Sequence, residues 1–181
     1  MDIFNLFANL EDNTELHLSR LLILLGVFAG KEGEENIEGL TKLAKLDFLL
    51  RYPVYLERAL EERGQNPSKV NVEDFERYSV ESSMTRFRYG PWDFRYRKFL
   101  NLMVGKGLVT VGIKGRTIMI GLTENGRSIF SHLASQEEFQ SLYQRAKLLK
   151  IHLDFTATNL MKYIYKTFPE IGNLKLGEEI E

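Results

Sequence analysis

The stretch from Phe99 to Ile129, FLNLMVGKGLVTVGIKGRTIMIGLTENGRSI, decides the fold. Its start completes an amphipathic helix expected over Asp93 to about Val104. That helix gathers Trp92, Tyr96, Phe99, Leu100 and Met103, leaving Arg97, Lys98 and Asn101 on a more exposed face. Gly105 and Gly107 permit the reversal from helix to strand. Two β-rich runs, Leu108 to Ile113 and Arg116 to Leu122, are joined through Lys114-Gly115 and read as a hairpin. Val109, Val111, Ile118 and Ile120 can share a buried face. Leu122-Thr123-Glu124-Asn125-Gly126 then opens another helix, with Thr123 as its N-cap. Helix, hairpin and closing turn in this order form the second half of a winged helix. A short hairpin between two unrelated helices is the alternative. Asp93 to Ser128 is therefore expected to be a winged-helix binding module.

Upstream, Asn13 or Thr14 can cap a helix to about Ala29, with Leu18, Leu21, Leu22, Leu25 and Phe28 on one face. A second helix is expected from Ile37 or Leu40 to Arg51, broken by Pro53 and resuming over Val54 to Glu62. Residues 63–82 are polar and turn-rich and read as a long loop, mobile or facing a partner. Met84 to Tyr89 alternates and suggests an extended segment leading into Gly90-Pro91-Trp92. Downstream, helices are expected over Gln136 to Leu149 and Thr156 to Thr167, before an acidic, frayed tail, GEEIE. The expected class is mainly α with some β: a winged helix-turn-helix with a two-stranded wing and additional C-terminal helices. Residues 1–134 would form the winged-helix domain, interrupted by the 63–82 loop insertion, and 135–181 a C-terminal helical extension.

The 181 residues, 44% hydrophobic and 27% charged, suit a soluble globular chain with a real core. Absence of cysteine removes disulfides, thiolate zinc sites and cysteine nucleophiles, and fits a reducing compartment. No secretory signal is visible in MDIFNLFANLEDN, and LLILLGVFAG, residues 21–30, is too short for a bilayer, which needs about 20 residues. A cytoplasmic location is expected.

Net charge is −1, but its distribution is uneven. Residues 83–127 hold nine Lys/Arg against two Asp/Glu, whereas residues 1–82 hold nine against sixteen. Within the basic block, Arg86, Arg88, Arg95, Arg97, Lys98, Lys114 and Arg116 are the candidate contacts to nucleic acid or an acidic partner. A solvated face that pairs with the chain's own acids is the competing reading. Phe87, Tyr96 and Phe99 are more easily explained as core than as base-stacking platforms.

Chemistry is mostly missing. His17, His132 and His152 form no HxxxH or HExxH pair, and no GxxxxGK[ST] phosphate loop exists. Ser82, Ser83 and Ser128 lack a nearby base, and Glu pairs such as Glu61-Glu62 diverge on helices. No catalytic residue, cofactor or metal ligand is assigned, and the chain is read as non-enzymatic.

Three stretches carry a more particular resemblance: LTKLAKLDFLLRYP (40–53), MTRFRYGPWD (84–93) and FTATNL (155–160). Together they resemble the middle component of bacterial ABC three-component systems, the small third subunit of Lamassu-type anti-phage defence. The resemblance spans roughly residues 15–170. It implies a non-catalytic adaptor or regulatory subunit, bridging an SMC/Rad50-like coiled-coil ATPase and an effector subunit, often a nuclease. Double-stranded DNA is a further expected contact, and no membrane is. A stand-alone winged-helix DNA-binding transcriptional regulator is the alternative, and an enzyme built from scattered residues a distant third. Candidate partner-interface residues are Pro91, Trp92, Leu160, Tyr163, Ile164 and Phe168. Closure of the last helix over the chain's own core is the competing reading for its apolar stripe.

Overall fold

The computed structural model describes residues 14–30, 33, 35–78 and 83–180, and is mainly helical with two small antiparallel sheets. Helix α1 spans Thr14–Phe28, a two-residue strand β1 spans Ile37–Glu38, and α2 spans Leu40–Arg51. Pro53 begins α3, Pro53–Glu62, so the break expected at this proline is a corner between two helices. Short 3₁₀ turns at Pro67–Val70 and Asp74–Arg77 precede β2, Met84–Phe87, and β3, Gly90–Trp92. The remaining elements are α4 (Tyr96–Gly105), β4 (Val109–Lys114), β5 (Thr117–Leu122), α5 (Glu124–Ser135), α6 (Gln140–Leu153), α7 (Ala157–Thr167), α8 (Pro169–Asn173) and β6 (Glu179–Ile180). No helix of the described residues is long and apolar enough to cross a membrane.

Helix α1 is apolar on nearly every side because it is the central rod, flanked by α4, α5 and α6. Its Gly26 lies against the Phe130 ring of α5, at a spot where any β-carbon would overlap that ring. The C-terminal helices share this core. Ala146, Leu149, Leu153, Leu160, Ile164 and Phe168 are buried with Leu21, Phe48 and Leu56 in one continuous cluster.

The expected hairpin is present as β4–β5, with Val109 opposite Leu122 and Ile113 opposite Ile118. β1 adds to its other edge through Ile37 and Ile120, giving the order β1-β5-β4. Thr123 explains the closing turn. Its Oγ accepts the Gly126 N–H at 2.9 Å and its hydroxyl donates to the Gly107 carbonyl at 2.6 Å. A β-carbon on Gly126 would sit 1.9 Å from the Leu108 carbonyl oxygen, a backbone atom that cannot swing aside. Gly126→Ala is therefore expected to cost about 2–3 kcal/mol through overpacking, read as a lower urea midpoint.

Several expectations are corrected. Only the base of the hairpin is buried. Exposure along β4 climbs from 3% at Val109 to 44% at Val111 and 79% at Ile113, because the hairpin projects beyond the helices. Ile118, at 38%, is likewise not part of a buried face. Met84 to Trp92 forms a second hairpin rather than a simple extended lead-in. The tail is not frayed through residue 180: β6 pairs with Met84 and Thr85, and Ile180 is buried. Tyr52 locks this junction, donating to the Ile180 carbonyl and accepting the Met84 N–H, each at 2.8 Å. Much of the 63–82 loop is also held down. Arg145 donates to the carbonyls of Val70 and Asn71 and forks onto Glu76 at 2.7 Å. Asn13 and residues 79–82 lie outside the described residues.

Candidate functional site

Helix α4 begins where three segments distant in sequence converge on buried charges. Asp47 of α2 is completely enclosed, as is Arg20 of α1, whose Nε donates to it at 2.7 Å. Arg51, one turn along α2, donates through Nε at 2.8 Å, and the Tyr96 hydroxyl donates at 2.7 Å. Arg51 then reaches Asp93 through Nη1 at 2.8 Å. Asp93 also accepts the Arg95 backbone N–H at 2.9 Å, the two-residue reach by which aspartate shapes a turn. That turn occupies residues where the sequence expected helix, so α4 starts at Tyr96 instead of Asp93. His17 joins the group: it lies 2.8 Å from Arg20 Nη2 and stacks on Phe99 of α4, with ring centroids 5.0 Å apart.

The electrostatics follow from this geometry. Burial alone would raise the Asp47 carboxyl, but Arg20 and Arg51 outweigh it and hold it well below the usual carboxylate range. Burial, reinforced by Asp47, pushes the Tyr96 phenol well above its ordinary value. Asp93 is likewise raised by burial, then brought to about 2 by Arg95 and Arg51. Carboxyls depressed in the folded state contribute stability above their unfolded pKa, near 4, and lose it as pH falls through the folded value. Urea midpoints are thus expected to drop steeply from about pH 4 toward pH 2, and less steeply in Asp93→Asn.

The clamp orients α4. Tyr96, Phe99 and Met103 are buried, while Arg97, Lys98, Asn101 and Val104 line the outer face at helical spacing. Gly107 takes a left-handed φ of 66°, turning the chain directly from α4 into β4. Lys114 and Arg116 stand at the exposed end of the hairpin.

Of the seven basic candidates, Arg88, Arg97, Lys98, Lys114 and Arg116 are exposed and have no hydrogen-bond or ion-pair partner among the described residues. Elsewhere several of the chain's acids are used: Lys42 and Lys150 bond Asp154, Arg58 pairs with Glu170, and Arg77 with Glu57. None of these ion pairs reaches the outer face of α4 or the β4–β5 hairpin. Arg86 is half-buried, and its Nε has no hydrogen-bond partner among the described residues. Arg95 is corrected: its guanidinium is engaged with Asp93 at 2.8 Å and is not a free contact.

The partner-interface candidates divide. Leu160, Ile164 and Phe168 are fully buried against the chain's own core, because the apolar stripe of α7 packs on α2 and α3. Pro91 is buried and Tyr163 is half-buried, its hydroxyl donating to the Ala59 carbonyl at 2.6 Å. Only Trp92 and Tyr163 keep partial exposure. Tyr96 and Phe99 are core residues as expected, whereas Phe87 is 40% exposed and is not core.

Sequence reasoning missed the buried clamp and Lys45. The available signal was Arg20 and Asp47, each a charge inside an otherwise apolar run, with Arg51 four residues beyond Asp47. No family model, curated protein or solved structure matches this chain.

Proposed function

We propose that the chain is a non-catalytic winged-helix adaptor that lays α4 and the β4–β5 hairpin against the backbone of duplex nucleic acid. The observation that carries this reading is the set of exposed cations on α4, the hairpin tip and the β2–β3 turn that have no partner among the described residues. Supporting it, α1, β1 and α2 precede α4, β4 and β5, with β1 as third strand beside β5, which is winged-helix order. Helix α3 and the β2–β3 hairpin would be an insertion between the two helices of the helix-turn-helix. An outer stripe of Arg97, Lys98 and Asn101 suits a helix entering a major groove, and Lys114 and Arg116 suit a wing meeting phosphates.

The resemblance extends this to an adaptor within an SMC-like ATPase complex of anti-phage defence, linking the ATPase to an effector such as a nuclease. Two of the stretches that carry it meet in the folded chain: Arg51 bonds Asp93, and Tyr52 bonds Met84. A stand-alone regulator uses the same face but needs base selectivity. Binding of the purified protein to unrelated duplexes across a salt series separates the two. The adaptor reading expects weak, sequence-indifferent affinity that falls steeply with salt, plus co-purification of a coiled-coil ATPase from the native operon. Tight binding to one sequence and recovery of the protein alone would favour the regulator.

A further inference from the structure

Lys45 sits on α2 beneath the β2–β3 hairpin and is only 2% exposed, yet no carboxylate among the described residues pairs with it. Among the described residues its ammonium has one hydrogen bond, from Nζ to the Thr41 carbonyl at 3.0 Å. An ammonium held this way is short of partners, and burial lowers its pKa to about 8. The hairpin is shaped around it. Gly90, at φ 119°, passes so close that a β-carbon would meet Lys45 Cε at 3.3 Å.

A cavity of about 190 Å³ opens here, with Lys45, Arg97, Phe87, Tyr89, Pro91 and Trp92 among its walls. Arg97 is the other charged wall residue and Tyr89 the other titratable one, and no acid lines the cavity. Phe87 and Trp92 are stacked, with centroids 6.2 Å apart, and Phe94 meets the Phe87 edge at 5.6 Å. Tyr89 and Phe94 remain 55% and 66% exposed, and Arg88 is exposed at the turn between the strands, without a partner among the described residues.

We infer that this cavity binds an unpaired nucleotide, its phosphate bridging Lys45 and Arg97 and its base stacked on Phe87 and Tyr89. Aromatic platforms interleaved with free cations are the chemistry that holds single strands, where any base offers a face to stack on. A phosphate presents enough oxygens for the ammonium and the guanidinium together. An acidic peptide would answer the charge but leave the exposed rings without a flat partner. The site is separate from the outer face of α4, although Arg97 at the start of that helix borders both.

The test uses the full chain with labelled oligodeoxythymidylate, the matching duplex, deoxythymidine monophosphate and a glutamate-rich peptide. Lys45→Met keeps the stem and removes the charge, while Tyr89→Ala removes a ring on an exposed turn. Each is expected to weaken single-strand binding about tenfold and to leave duplex binding unchanged. Wild-type single-strand affinity should fall as pH rises through about 8, and Lys45→Met should flatten that dependence. Melting temperature of Lys45→Met equal to or above wild type separates a lost ligand contact from a lost fold. Competition by the mononucleotide identifies a free nucleotide as a sufficient ligand, and resistance to it identifies a strand; both support the site. Single-strand affinity unchanged in both variants, or peptide binding that exceeds oligonucleotide binding and depends on Lys45, overturns it. Wild-type protein that binds the oligodeoxythymidylate but not the duplex would count against the α4 reading and not against this one.

Discussion

Asp47→Ala is expected to destabilise the protein by roughly 3–5 kcal/mol, the largest loss of any single substitution in the fold. The substitution strips the carboxylate from two enclosed guanidinium groups and from the Tyr96 hydroxyl at once. Removing one partner of a buried pair costs roughly 3–5 kcal/mol, since the stranded charge stays out of water. Arg51 keeps Asp93, whereas Arg20 loses the carboxylate that its Nε reaches at 2.7 Å. A loss of this size is a large share of the roughly 5–15 kcal/mol that holds a domain together. Asp47→Asn should fail in the same direction, because an amide cannot balance either cation. Far-ultraviolet circular dichroism and urea titration give the readout. A cooperative transition within about 1 kcal/mol of wild type would mean that these groups find water in solution. Arg95→Ala is the contrast: that side chain is a third exposed, so its loss should be minor.

The second large effect concerns binding. Replacing Arg97, Lys98, Lys114 and Arg116 together with alanine should cut duplex affinity on the order of a thousandfold at about 0.1 M salt. The slope of log K against log salt should become shallower by about 3–4, as each neutralised phosphate contributes about 0.9. None of the four has a partner within the described residues, so the variant should melt close to wild type. Fluorescence anisotropy at several salt concentrations measures both terms. An unchanged slope would place duplex contact elsewhere or nowhere. Full loss of the slope with retained sequence selectivity would point to base readout from Asn101 and its neighbours.

What could be read from the sequence was local. The α4–β4–β5 succession was legible because helical spacing, paired glycines and the Thr123 cap each act within a few residues. The basic candidates were legible as composition, but whether they were free was not, since their possible acidic partners lie far along the chain. β1 and β6 are two residues long, and only their distant partners make them strands. The apolar stripe of α7 looks the same whether it meets a partner or its own core, and α2 and α3 decide that. Lys45 was hidden for the same reason. Nothing in LTKLAKLDFLL says that a hairpin from residues 84–92 will roof it.

The enclosed charges also constrain how this chain can vary. Exchanging Arg20, Asp47, Arg51 and Tyr96 all at once for apolar residues of similar volume, with Arg95 still holding Asp93 at 2.8 Å, need not destabilise the fold, and such sets can even gain stability. Single exchanges behave differently, because the first step strands a charge that the later steps would have removed. Their effects are therefore strongly non-additive. In a mutational landscape the quartet behaves as a locked combination: every one-residue route away from it crosses variants that fold poorly. Combinatorial libraries that randomise these positions together should recover folded sequences that no stepwise walk reaches.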